Sequence, residues 1–142
     1  MSSSQQTGPM PVTIDFVKSD GLVPAIIQDH RSGEVLMLGF MNAQSVDETQ
    51  RSGEVVFFSR SRNKLWKKGE SSGHVLKVRE VLVDCDADAL LVRVEPLGPG
   101  VCHEGYRSCF FRRLESTGNA IIVAEQTFAP SAVYAQPQEK KS

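Results

Sequence analysis

The sequence predicts an α+β protein that is predominantly β, and three observations carry that prediction. Short stretches rich in Val, Ile, Leu and Phe, several of them alternating apolar with polar residues, recur along the chain. Clusters of Gly, Pro, Asn, Asp and Ser separate them at short intervals. One stretch alone, residues 43–51, carries both a start and a stop signal for a helix.

Taken in order, residues 1–10 are rich in Ser, Gln and Pro and read as a disordered tail. Residues 12–16 alternate and read as a first strand. Residues 22–28 form a second, in which Pro24 marks an edge strand or a strand start. A turn at 29–33 returns the chain into a strand at 34–40. Asn42 is placed to cap the helix, Met41 and Val46 to staple its entry, and Gly53 to end it. The pentapeptide RSGEV occurs at 31–35 and again at 51–55, which reads as reused turn chemistry ahead of two strands. A strand at 55–58 continues into 59–62, and 63–73 is a loop around the single tryptophan, Trp66. Strands follow at 75–83 and 89–94, with a turn at 96–100. Residues 106–114 and 120–125 complete the strand-like segments. The domain boundaries drawn are a tail at 1–10, one domain at 11–128 and a second tail at 129–142.

A chain of 142 residues is one domain by its length. A domain of that size buries roughly 68–70% of its unfolded surface. With 16 Lys plus Arg against 17 Asp plus Glu, the net charge of -1 gives no general pull toward nucleic acid or an acidic membrane. No apolar run reaches the roughly 18 residues that span a bilayer, and the N-terminus lacks the pattern of a targeting peptide, so the expected location is cytoplasmic. Three cysteines, Cys85, Cys102 and Cys109, do not make a secreted disulfide framework.

Three constellations have chemical content. Asp84, Asp86 and Asp88 stand at every second position, with Cys85 between the first two. On an extended backbone the carboxylates share one face and the thiol points to the other. Oxygen ligands suit Mg²⁺ or Ca²⁺ and thiolates suit Zn²⁺; a charged turn between two strands explains the same residues. An EF-hand does not, because Ala89 stands where that loop needs glycine. The spacing of Cys85, Cys102 and Cys109 is not that of a zinc knuckle, and three thiolates suit a catalytic zinc better than a structural one. Small buried hydrophobes are the plainer reading of those cysteines. His103 adjoins Cys102 and His74 follows a Ser-Gly pair, which makes both candidates for proton transfer, whereas His30 reads as a solvated turn residue. The third constellation is basic: Arg60, Arg62, Lys64, Lys67 and Lys68 around Trp66 suit a phosphorylated metabolite, or form a solvated face. The Gly/Ser loop that follows can wrap a ligand with its amides.

Together the segments VLMLGFMN, SRSRNKLWKKGESSGH, VDCDADALL and CHEGYRSCF resemble the phosphoribosyl-AMP cyclohydrolase family of histidine biosynthesis, in order across residues 12–125. Glu104 and Leu76 depart from that pattern, where threonine and glutamine are more usual. The resemblance implies a monofunctional enzyme and a mixed or antiparallel sheet forming a partly open barrel in an intertwined homodimer. It implies Zn²⁺ on Cys85, Cys102 and Cys109, with Cys85 from one subunit meeting the other two from its partner, and Mg²⁺ on Asp84, Asp86 and Asp88. The implied reaction is hydrolytic opening of the adenine ring of N1-(5-phosphoribosyl)-AMP between C6 and N1 by zinc-activated water. In it His103, or His74, moves protons, and Arg60, Arg62, Lys68 and Arg107 meet the phosphates. Trp66, Glu70, Ser72 and Gly73 line the nucleotide. A zinc deaminase lacks its sequence pattern here. A non-catalytic nucleotide-binding module is the other competing class.

Overall fold

The computed structural model describes residues 8–133. Of the two predicted tails, residues 1–7 and 134–142 lie outside the described residues. In chain order the elements are β1 (Val23–Asp29), β2 (Val35–Met41), α1 (Ala43–Ser52), β3 (Val56–Ser59), β4 (Lys64–Lys67), β5 (Leu76–Val83), β6 (Leu90–Pro96), β7 (Arg112–Leu114), β8 (Ala120–Ile122) and α2 (Pro130–Val133). The architecture is α+β and mostly sheet. The described strands make one open four-stranded mixed sheet, in the order β2-β1-β6-β5, and two hairpins, β3-β4 and β7-β8, with no closed barrel.

The sheet is built around β1, which pairs antiparallel with β2 on one side and parallel with β6 on the other. Its alternate residues Val23, Ala25 and Ile27 are fully buried, as are Val92 and Val94 of β6. They meet Leu36, Met41, Val55, Phe57 and Leu76 in one core. Burial of each such side chain is worth about 1.5–3 kcal/mol. Of the two places expected for Pro24 it takes the strand start, as the second residue of an interior strand and not on a sheet edge. It is tolerated because pairing with β6 begins one residue later, at Ala25↔Leu90, so its missing N–H falls outside that ladder. The β3-β4 hairpin closes on the sheet where Phe57 packs over Gly39. A Cβ added at Gly39 would lie 2.5 Å from the Phe57 ring.

Helix α1 follows the caps read from the sequence and extends one residue beyond the predicted end. Asn42 accepts from the Ser45 amide, Ser45 returns the bond to the Asn42 amide, and Gly53 closes the helix at φ 75 with its N–H on Thr49 O. The two RSGEV segments do share their chemistry. Ser32 Oγ accepts the Glu34 amide at 3.1 Å and Ser52 Oγ the Glu54 amide at 3.2 Å. Both glycines have positive φ, 79° and 75°.

Other segments depart from expectation. Residues 12–16 form no strand; Ile14 and Phe16 pack on the core while the Asp15 amide bonds Ala87 O at 2.7 Å. The strand predicted through 59–62 stops at Ser59, whose Oγ accepts the Arg62 amide, and Asn63 at φ 53 turns the chain into β4. Trp66 is thus in a strand, its ring 5.1 Å from that of Phe57. Of residues 106–114 only Arg112–Leu114 is strand, because the preceding stretch bonds to β2 carbonyls in a loop. The last predicted strand shortens to Ala120–Ile122, and part of the expected C-terminal tail is the short helix α2. His30 was read as solvated, yet it is half-buried and its Nε2 is buried without a hydrogen-bond partner. Among the described residues no helix is long and apolar enough to cross a membrane.

Glu54 joins the hairpin to the sheet, with Lys67 Nζ of β4 at 2.5 Å and Lys77 Nζ of β5 at 3.7 Å. The Lys67 bond, aided by Lys77, holds its carboxyl below the usual carboxylate range. A depressed folded-state pKa adds stability above the unfolded value of about 4.3, and that stability is lost as pH falls through the folded value. Glu54→Gln is expected to be less stable than wild type at neutral pH, with the gap closing below about pH 4. Urea midpoints across that range test this, and a gap independent of pH would refute it. Gly39→Ala is expected to cost about 1–3 kcal/mol by overpacking against Phe57, measured the same way; an unchanged midpoint would show that the ring moves freely aside.

Candidate active site

Of the two readings open in the sequence, the acidic stretch is the charged turn between two strands and not an extended strand. It joins β5 to β6 at the Val83↔Leu90 pair. Asp84 N–H bonds Ala89 O and Ala87 N–H bonds Asp84 O, both at 3.1 Å, with Ala87 left-handed at φ 62. Asp84 Oδ1 accepts the Asp88 and Ala89 amides at 3.0 and 3.2 Å. The carboxylates of Asp84, Asp86 and Asp88 converge all the same: an oxygen from each lies within 4.8 Å of the others.

A cation already sits among two of these oxygens. Lys18 Nζ lies 3.0 Å from Asp86 Oδ2 and 3.0 Å from Asp88 Oδ2. The segment carrying it is docked on the turn through the Asp15 amide on Ala87 O, and Asp15 Oδ1 accepts the Val17 and Lys18 amides. Hydrogen bonds to Asp86 and Asp88 raise the pKa of the ammonium. The Lys18 bond pulls Asp86 below the usual carboxylate range. Asp88 feels the same pull, yet Asp86 beside it pushes it above that range, so the two carboxyls titrate as a pair. An all-oxygen set that holds an ammonium fits a hard divalent cation such as Mg²⁺.

Cys102 follows the far end of β6 from Cys85, whereas Cys109 is held beside β2, level with the middle of β6. Cys85 is exposed in the turn before Leu90. Cys102 is buried and follows the Pro96 end. Its N–H bonds Tyr106 O at 3.1 Å, its carbonyl accepts Gly105 N–H at 3.0 Å, and its sulfur accepts the Glu104 amide at 3.5 Å. A tight turn that aims an amide at sulfur suits a metal-bound thiolate, because the amide offsets its charge. Cys109 is half-buried, its amide on Leu36 O at 2.7 Å. Ser108 beside it donates Oγ to Val35 O at 2.8 Å. Leu36 lies near the β2 residue opposite Gln28, and Gln28 is opposite Arg93 of β6. Among the described residues the acidic triad is the one group of three such ligand atoms so close together, and the three sulfurs of a single chain form none.

The remaining candidates divide into two places. Arg60 and Arg62 lie in and beside the β3-β4 turn, where the Arg60 guanidinium stands 5.7 Å from the Phe40 ring centroid. Lys68 follows the other end of β4, about 13 Å along the hairpin at roughly 3.3 Å per residue. The basic stretch is therefore not a single patch. Lys68 is buried, with Nζ donating to Val101 O at 2.7 Å. His74 is half-buried; its Nδ1 is 3.1 Å from Gly100 O and its ring meets Phe128 edge-on. A carbonyl only accepts, so Nδ1 carries the proton and Nε2 of the neutral ring is left as an acceptor. Gly98 makes room for this ring: a Cβ there would lie 2.5 Å from it. Glu70 is exposed, with Oε1 accepting the Lys67 amide; Ser72 Oγ accepts the His74 amide. Gly73 is left-handed at φ 80. His103 is exposed, and Arg107 faces Glu34 at 3.7 Å. Lys18 and Ser108 went unread in the sequence. Lys18 is 68 residues from Asp86, and no local pattern links a lysine to carboxylates at that distance.

The model of the phosphoribosyl-AMP cyclohydrolase family matches residues 37–111. A phosphoribosyl-AMP cyclohydrolase of Solibacter usitatus is 58% identical over 123 residues, 87% of this chain and 97% of its own length. The one of Desulforapulum autotrophicum is 52% identical, over 87% of this chain and 98% of its own. That of Methanococcoides burtonii is 50% identical, over 87% and 99%.

A divalent cation entering the acidic triad has to displace the Lys18 ammonium. Lys18→Met is therefore expected to bind Mn²⁺ roughly two- to fivefold more tightly than wild type, the range set by exposed ion pairs. Calorimetric titration measures this; equal or weaker binding would mean that Lys18 supports the cation site and does not compete for it.

Proposed function

The chain belongs to the phosphoribosyl-AMP cyclohydrolase family, and from that premise we propose that it opens the adenine ring of N1-(5-phosphoribosyl)-AMP by hydrolysis. Water adds to C6, the C6–N1 bond breaks, and N1 takes up a proton. The product is the formimino-linked aminoimidazole carboxamide ribonucleotide, in the third step of L-histidine biosynthesis.

In this reading two copies of the chain build the site in an intertwined homodimer, and sheets of the two copies complete a partly open barrel. Cys85 of one copy joins Cys102 and Cys109 of the other to hold Zn²⁺. The observation that carries it is the register of β6. Seven residues at about 3.3 Å each separate the end that bears Cys85 from the end that leads to Cys102. A site that unites all three sulfurs takes them from different chains. Apolar residues exposed beside both sets support the same contact: Leu82 and Val83 near Cys85, and Phe110, 61% exposed, next to Cys109.

Bound there, zinc would supply a Lewis acid that lowers the pKa of water toward about 7. The chain's own groups move the protons. His74, with its proton fixed on Nδ1, offers Nε2 as the acceptor for a proton from water. His103, exposed beside Cys102, delivers one to the departing N1. Asp84, Asp86 and Asp88 would hold Mg²⁺, which binds a phosphate or orients the substrate. Arg60, Arg62 and Arg107 meet the phosphates. Trp66, Glu70, Ser72 and Gly73 line the nucleotide. The substrate is a small nucleotide, with no nucleic-acid or membrane partner, and the enzyme works in the cytoplasm, where thiols stay reduced.

Mixing two inactive variants tests the shared site. Cys85→Ala and Cys109→Ala are each expected to lose zinc and turnover. In a mixed dimer, one of the two sites draws its Cys85 and its Cys102–Cys109 pair from undamaged copies. Coexpression of the two at equal amounts should restore about a quarter of wild-type turnover, because half the dimers are mixed and each has one intact site. No recovery in a mixed dimer of proven composition would overturn sharing. Either single variant keeping zinc and full turnover would remove that thiol from the site.

A further inference from the structure

The backbone just before Cys102 is gripped from both ends of one loop. Residues 68–74 close on themselves, with Gly73 N–H on Gly69 O at 2.7 Å. From the first residue of that loop Lys68 Nζ donates to Val101 O at 2.7 Å, and from the last His74 Nδ1 donates to Gly100 O at 3.1 Å. The other side of Val101 is held as well, its N–H on Arg107 O at 3.0 Å.

Lys68 differs from its basic neighbours. Arg60 and Lys64 are exposed and Arg62 and Lys67 half-buried, but Lys68 is 6% exposed. Its ammonium stands 5.9 Å from the Trp66 ring centroid. A buried ammonium is retained only where hydrogen bonds and ring faces replace its water, and Val101 O is one such partner here. That carbonyl shares a rigid peptide plane with the nitrogen of Cys102. The direction of Val101 O therefore sets the direction of Cys102 N–H, which bonds Tyr106 O at 3.1 Å. The sulfur hangs from that frame.

We propose that Lys68 is a positioning residue for Cys102 and not a contact to substrate phosphate. This rests on the reading of Cys102 as a zinc ligand in a phosphoribosyl-AMP cyclohydrolase. It places the KGESSGH stretch in a second role, as the brace of the cysteine turn. The residue is also 6% exposed, with its ammonium already held on Val101 O.

Full-length Lys68→Met and Arg60→Met, compared with wild type, distinguish the two roles. Three quantities are read: zinc affinity by competition with a chromophoric chelator, the thiolate-to-metal charge-transfer bands of the cobalt-substituted protein, and kcat and KM separately. Lys68→Met is expected to lose about tenfold or more in zinc affinity, as partners of metal ligands do. Its cobalt bands should shift and its kcat fall while KM holds. Arg60→Met should raise KM and leave the cobalt bands alone. Lys68→Met with unchanged zinc affinity and cobalt bands but a raised KM would overturn the proposal in favour of a phosphate contact. Should Lys68→Met fail to fold, the ¹⁵Nζ resonance of Lys68 in wild type decides. Saturating AMP is expected to leave it in place, and a shift on AMP addition would overturn the proposal. Wild-type protein that lacks zinc and turnover refutes the functional reading itself, and is told apart because it fails before any variant is made.

Discussion

Strand β6 sets the terms for everything else. It is paired along its length with β1 on one side and β5 on the other, so it can neither bend nor slip without unpairing both. Its start receives the acidic turn with Cys85, and the chain leaving its end leads to Cys102. Cys109 is held beside β2, whose Leu36 carbonyl takes its amide. The sheet thus separates Cys85 from Cys102 by its own rigidity. A chain that kept all three sulfurs in one copy would need a long loop back across the sheet. The six residues from Pro96 to Cys102 are instead spent on a turn held by Val75, Arg107 and Tyr106.

The groups with chemical content are held mostly by main-chain partners. Val101 O, Gly100 O, Leu36 O, Val35 O and Tyr106 O each receive a bond that orients a lysine, a histidine, a serine or a cysteine backbone. Backbone carbonyls do not change with side-chain substitution, so this framework depends on the sheet staying paired more than on the identity of neighbouring residues. It also explains the glycines and tight turns around Gly98–Gly105. Ring and backbone approach there at distances that a Cβ would block, as at Gly98 against His74.

The readability of the sequence follows the range of the forces involved. Helix α1 and the paired RSGEV turns were legible because their determinants lie within a few residues: Asn42 with Ser45, Gly53 with Thr49, Ser32 with Glu34. Strands β5 and β6 were legible because both carry long β-branched runs. Strand β4 was not, since Lys64–Lys67 reads as a basic loop and only pairing with β3 makes it a strand. The acidic residues group as expected, through the turn that was one of the two readings open in the sequence. Alternation on a strand and a tight turn both bring Asp84, Asp86 and Asp88 together, and the left-handed Ala87 that decides between them has no signature in alanine itself. The separation of Cys85 from Cys102 by the length of β6, and the docking of Cys109 on β2, depend on strand pairing that no local pattern encodes.

The acidic turn shows how far one chain can balance its own charges. Three carboxylates converge there and Lys18 brings one positive charge, so the turn keeps an excess of two negative charges when all three are ionised. The raised pKa of Asp88 is the sign of that excess: the group beside Asp86 relieves the repulsion by favouring its proton. A divalent cation in place of the ammonium would offset one more of those charges. Asp84 is already oriented for it, because Oδ1 is fixed by the amides of Asp88 and Ala89 whether or not a cation is present. Asp86 and Asp88 are oriented by the ammonium instead. A cation entering the turn would therefore compete with the docked segment, residues 15–18, for the same oxygens.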